Sequence, residues 1–151
     1  MPSVFDPQTF AQMTFTEQNS TESFPVPVGD WPFQITKAEI TAWTKKDNPN
    51  EGGLKCTLML ATEDPAVQAV TGRPKNVLRH EMMLDLTPEG GLDFGKGMNV
   101  QLGRAREACG LNKPGQAFAF DMFVGHDVIG SVKHEIYQDR QMARVAAIAH
   151  A

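Results

Sequence analysis

The residues of this chain best suited to chemistry are aromatic side chains standing beside cations. Trp43 is followed by Lys45 and Lys46, and Tyr137 stands shortly before Arg140. Lys55 lies on one candidate strand and Arg79 on another, which is entered through Arg73 and Lys75; Lys96 sits in a glycine-rich stretch. A flat π face can stack on an unpaired base, worth about 1–3 kcal/mol per base, and cations along the same path meet phosphates. The candidate nucleic-acid-binding set is therefore Trp43, Lys45, Lys46, Lys55, Arg73, Lys75, Arg79, Lys96, Tyr137 and Arg140. Several of these, and Trp31 with them, have a plainer reading beside the functional one. Trp31 reads as a core or rim residue, Trp43 as stacking or buried, Lys45 and Lys46 as a solvated turn, Arg79 as a cross-strand ion-pair partner, and Tyr137 as a hairpin-edge residue.

Other chemistries find no constellation. His80, His126, His134 and His150 do not pair at metal-ligand spacing, and Cys56 and Cys109 form no CxxC. No Ser-His-Asp or Cys-His arrangement appears, so the reading is non-enzymatic, with no metal and no cofactor. Gly90 and Gly95-Lys96 match GxxxxGK, but Gly97 stands where a phosphate loop needs Ser or Thr. A phosphate contact from Lys96 or Arg104 is the most this segment suggests, beside the plain reading of a flexible loop.

A chain of 151 residues, 41% hydrophobic and 21% charged, fits one globular domain. No apolar run approaches the roughly 18 residues that span a bilayer, and the first residues lack the basic-then-apolar pattern of a signal peptide. A reducing cytoplasm is the expected compartment. The net charge of −4 argues against a nucleic-acid partner, but it is uneven. Asp6, Glu17, Glu22 and Asp30 fall in the first 30 residues, which hold no Lys or Arg; the remainder is neutral.

The elements that must position these residues follow from periodicity. Residues 1–29 read as an arm, polar and proline-rich with scattered Phe5, Phe10, Phe15 and Phe24; Asp6-Pro7 starts a short helix there. The arm either packs on the body or reaches a second subunit. From Trp31, Phe33 and Ile35 alternate in one phase and Ala38, Ile40 and Ala42 in the other, the signature of a β-bulge. Residues 45–53 are a turn-rich loop. Leu54, Cys56, Leu58 and Leu60 mark a second strand, and 62–76 is a connection with room for one helical turn. Leu78, His80, Met82, Leu84 and Leu86 share a face of a third strand. After a glycine-rich loop (87–97), Met98, Leu102, Ala105 and Cys109 recur at helical spacing, with Gly110 as the C-terminal stop. A fourth strand at about 126–137 and a fifth at about 142–149 close the chain through a hairpin at 137–141. Three strands, a helix and two strands is the order of the OB-fold, a five-stranded partly open barrel.

The segments FPVPVGDWPFQITKAEI (24–40) and MLDLTPEGGLDFGKGMNVQLGRAREACGLNKPGQAF (83–118) resemble a family of phage and prophage single-stranded-DNA-binding proteins, as do DPQTF and TEQNST in the arm. The resemblance implies an OB-fold and single-stranded-DNA binding in phage DNA replication or recombination, in the host cytoplasm. The expectation is thus a mainly β chain: an arm (1–29) and an OB-fold domain (30–151, β-β-β-α-β-β). Its partners would be single-stranded DNA, a second copy in a homo-oligomer and phage replication or recombination proteins, with no membrane. The alternative is an OB-fold protein-interaction module, a replisome or recombination accessory without DNA binding of its own.

Overall fold

The computed structural model describes residues 6–151, and Phe5 lies outside the described residues. The chain runs α1 (Pro7–Gln12), β1 (Gly29–Thr44), β2 (Gly52–Thr62), α2 (Pro65–Thr71), β3 (Asn76–Met83), α3 (Val100–Ala108), a 3-10 turn at Phe120–Phe123, β4 (Asp127–Tyr137) and β5 (Arg140–His150). It is mainly β. The strands form one antiparallel sheet in the order β3-β2-β1-β4-β5, open between its edges β3 and β5.

β1 serves both halves of the sheet because it changes phase. Its first part pairs with β4 from Gly29 to Gln34, and its second with β2 from Gln34 to Thr44. The register slips between Ile35 and Lys37, so Thr36 is the extra residue. Phe33 and Ile35 therefore face the core before the bulge and Ala38 after it, as the phase switch in the sequence predicts. A second slip pairs Ser131 with Ala147 but Val132 with Val145, leaving Ala146 over. That extra residue lets Val145 and Ile148, three apart, both point inward.

The core joins Phe33, Ile35, Cys56, Leu58, Leu60, Met82, Val128, Val132 and Val145 from the strands with Phe123 of the 3-10 turn. α3 adds Leu102, Ala105 and Ala108. Each large apolar side chain so buried contributes about 1.5–3 kcal/mol. Gly130 is needed because a Cβ there would stand 2.8 Å from the Phe33 ring. Among the described residues no helix is long and apolar enough to cross a membrane.

Several boundaries differ from the sequence expectation: β2 starts at Gly52 and β5 at Arg140, each about two residues early, so the last hairpin turn is only Gln138-Asp139. The third strand ends at Met83 rather than Leu86: Leu84 N–H still donates to Leu54 O at 3.0 Å, but Leu86 bridges Leu92 inside the following loop. α3 starts at Val100 rather than Met98 because Asn99 is left-handed (φ 52°) and cannot continue a helix backwards. The 62–76 connection holds two turns of helix, begun by Asp64, whose carboxylate accepts from Ala66 N–H, and stopped at left-handed Gly72.

Asp6 caps α1 as expected, accepting from Gln8 N–H and Thr9 Oγ1. Described residues from Asp6 to Phe24 are all exposed, with Phe10 and Phe15 touching only at 5.8 Å between ring centroids. The arm joins the body at Val26, which is buried and whose carbonyl accepts from His134 Nε2–H at 2.7 Å.

Candidate nucleic-acid interface

Partners directly opposite in an antiparallel ladder share a face, so the register fixes which side chains line the outside of the sheet. On β1–β2–β3 the outer rows are Lys37–Met59–Arg79, Glu39–Thr57–Glu81 and Thr41–Lys55–Met83. Lys55 and Arg79 thus lie on one face, as the sequence alternation predicts. The face is nevertheless no basic stripe. Lys37 pairs with Glu39 at 3.1 Å and Lys55 with Glu81 at 3.4 Å, leaving Arg79 as its one base without an ion pair among the described residues.

On β4–β5 the outer rows are Lys133–Arg144, Glu135–Met142 and Tyr137–Arg140. Three bases stand there against one acid. Glu135 engages Arg144. Gln138 and Asp139, both left-handed at φ 50° and 61°, make the two-residue turn that sets Tyr137 opposite Arg140.

These two faces meet at the open seam. The edges of β3 and β5 border a cleft of about 900 Å³, lined on one side by Val77, Arg79, Glu81 and Met83 and on the other by Glu135, Tyr137, Met142 and Arg144. The floor is fixed by His80, buried on β3, whose Nδ1–H donates to Val145 O on β5 at 2.8 Å. Burial holds the His80 imidazole below its ordinary pKa; the Val145 carbonyl opposes that shift and Arg144 adds a smaller downward push. Tyr137 keeps 62% of its surface exposed at the cleft wall, and Met83 and Met142 are more than half exposed beside it.

The cleft gathers Arg79 and Tyr137 from the sequence-predicted set, and the hairpin adds Arg140. The other candidates lie elsewhere. Trp43, Lys45 and Lys46 stand at the β2 end of β1, where Trp43 pairs with Gly53 one row beyond Thr41–Lys55–Met83 and the turn to β2 is closed by Lys45 N–H to Glu51 O and by a 2.7 Å pair between Lys45 and Glu51 side chains. Trp43 is a hairpin plug: its ring covers Gly53, where a Cβ would come within 3.3 Å, and its Nε1–H is closed off from solvent without an acceptor. Trp31 is likewise structural, packed on the core with its Nε1–H donating to Pro27 O at 2.8 Å. Arg73 and Lys75 lie in the α2–β3 connection beside the base of the arm, in a hollow that Phe24 and Val26 also line. Lys96 is exposed in the loop between β3 and α3.

Sequence reasoning missed Arg144, Met142 and Lys133. The signal was present, since Arg140, Met142 and Arg144 alternate in the phase opposite Ala143 and Val145. It was unused because the seam that gives those residues a facing wall joins segments about sixty residues apart.

Cys56 and Cys109 are free thiols, both pushed up to about 11 by burial, which leaves them protonated and unreactive at neutral pH. Among the described residues no group of His, Cys, Asp or Glu is placed to hold a metal ion.

No protein-family model matches the chain, and no curated protein matches it.

Proposed function

We propose that this chain is an OB-fold single-stranded-DNA-binding protein and that the strand lies along the cleft between β3 and β5. The observation that carries the reading is the composition of the cleft and its rim: Arg79 and exposed Met83 on the β3 wall, Arg144 with exposed Tyr137 and Met142 on the other, and Lys133 and Arg140 paired beside Arg144 and Tyr137 on the same outer face. Cations reach phosphates, the tyrosine ring stacks, and the flexible thioethers adapt to any base. The strand order, the helix between the third and fourth strands, and the His80 bridge across the seam all agree with an OB-fold, whose open face serves extended polymers. The phage family resembled by residues 24–40 and 83–118 supports the same reading and the setting of DNA replication or recombination in a host cytoplasm.

Charge reversal tests the location. Arg79→Glu should weaken binding of a labelled oligo-dT about tenfold or more, through one lost phosphate contact and one added repulsion. Lys113→Glu, in the turn after α3, should not. Equal effects at the two positions, or none at either, would remove the cleft from the site.

The second reading, a protein-interaction module, draws on a different observation. Val77, Met83 and Met142 are exposed apolar residues on two strand edges, the kind of surface a partner chain can pair with. On that reading oligo-dT leaves the protein unbound at low salt. On either reading the exposed Phe10, Met13 and Phe15 of the arm favour association with a second copy.

A further inference from the structure

The loop from Leu84 to Asn99 contains four glycines, yet it is held by a dense set of hydrogen bonds. Asn99 is the knot. Its N–H donates to Asp85 Oδ2 at 2.7 Å, its Oδ1 accepts from Asp85 N–H at 2.8 Å, and its Nδ2–H groups reach Asp85 O and Asp93 O, both at 2.9 Å. Asp93 in turn donates N–H to Asp85 O and accepts Gly95 N–H on Oδ1 at 2.8 Å. Thr87 closes the opposite limb, its Oγ1 accepting from Gly91 N–H at 3.0 Å. These bonds explain why Asn99, the residue before α3, gives the helix no side-chain cap.

What this ordered loop presents is Phe94, 79% exposed, with Lys96 two residues on and the unobstructed Gly97 beyond it. An apolar ring held in water by a rigid loop gains nothing for the fold, whereas a partner that covers it gains its burial with little further ordering. The loop is tied at Asp85, two residues past Met83, and Met83 lines one end of the cleft. The loop follows β3 directly, so it continues the chain from the Met83 end of the cleft.

We propose that Phe94 is a base-stacking platform: an unpaired nucleobase lies on its ring while Lys96 meets the adjoining phosphate. The inference rests on the single-strand reading above and adds a second stacking site to Tyr137. A base in a duplex is already stacked and paired on both sides, so the platform admits single strands only.

Three substitutions separate stacking from mere apolar contact. Phe94→Ala and Phe94→Leu should each weaken oligo-dT binding about tenfold, while Phe94→Trp keeps wild-type affinity and its fluorescence is quenched on titration. Far-ultraviolet circular dichroism should be unchanged in all three, because the ring supports no part of the core. If Phe94→Ala binds within twofold of wild type while Tyr137→Ala does not, the platform is wrong and the cleft stands. If Phe94→Leu binds as well as wild type, the ring makes only apolar contact and the stacking assignment falls. If the wild type itself leaves oligo-dT unbound, the single-strand reading falls and the platform with it.

Discussion

The imidazole of His80 on β3 donates Nδ1–H to the carbonyl of Val145 on β5 across 2.8 Å, and this bond spans the one seam at which the sheet is open. It fixes the tautomer of a buried histidine and sets the distance between the cleft walls. His80→Ala removes the donor, leaves Val145 O buried without it, and opens a cavity. The expected cost is about 2–4 kcal/mol in urea unfolding. A loss below half a kcal/mol would mean the seam is held by other contacts.

The same histidine makes stability fall with acid. Its pKa is lowered on folding, so between the folded value and the ordinary 6.5 the unfolded chain binds the extra proton. Stability is therefore fully present above about pH 6.5 and declines as pH drops below it. The melting temperature should fall between pH 6.5 and 5 in the wild type, and more shallowly in His80→Gln. Parallel slopes in the two proteins would contradict this assignment.

Two adjacent glycines differ in what they tolerate. A Cβ on Gly52 would lie 2.0 Å from the Trp43 carbonyl oxygen, a backbone clash that only moving the strand relieves. At Gly53 a Cβ meets the Trp43 ring at 3.3 Å, which a small ring shift accommodates. Gly52→Ala should cost more than about 2 kcal/mol and Gly53→Ala about 1 or less. Thermal unfolding of the two variants ranks them, and the reverse order would mean the β1–β2 turn is built differently.

Much of the sheet is legible in the sequence because it rests on local periodicity. The phase change between Ile35 and Ala38 predicts the bulge, and Asp6-Pro7 and Gly110 mark helix ends from their own chemistry. The site is less legible because it is made by distant pairs. Nothing near Trp43 says that Gly53 will receive its ring, and nothing near Arg79 says that Arg144 will face it. The glycine-rich stretch reads as a flexible loop around Lys96. It is ordered instead, because Asn99 closes bonds to Asp85 that no local pattern reveals, and Phe94 is overlooked with it.

Asn99→Gly isolates that knot. Glycine keeps the left-handed backbone at φ 52° but removes the three side-chain bonds. Hydrogen exchange at the Asp85 amide should accelerate at least tenfold, with core amides such as Leu58 unaffected. Unchanged protection at Asp85 would show that the loop is ordered by something other than Asn99.

The arm offers a test of assembly. Phe10, Met13 and Phe15 are exposed in the single chain, and association with a second copy would cover them. Sedimentation equilibrium should give a mass above that of one chain for the full protein, and a single-chain mass once residues 1–24 are deleted. A single-chain mass for both forms would leave the arm without this role.

The most direct test of the account is fluorescence anisotropy of labelled oligo-dT, and of a duplex of equal length, titrated with the full chain at low and moderate salt. The account predicts saturable binding of the single strand, much weaker binding of the duplex, and an affinity that falls with salt at a slope of about −0.7 per phosphate contacted. No binding of oligo-dT at low salt, or equal binding of both forms, would contradict it.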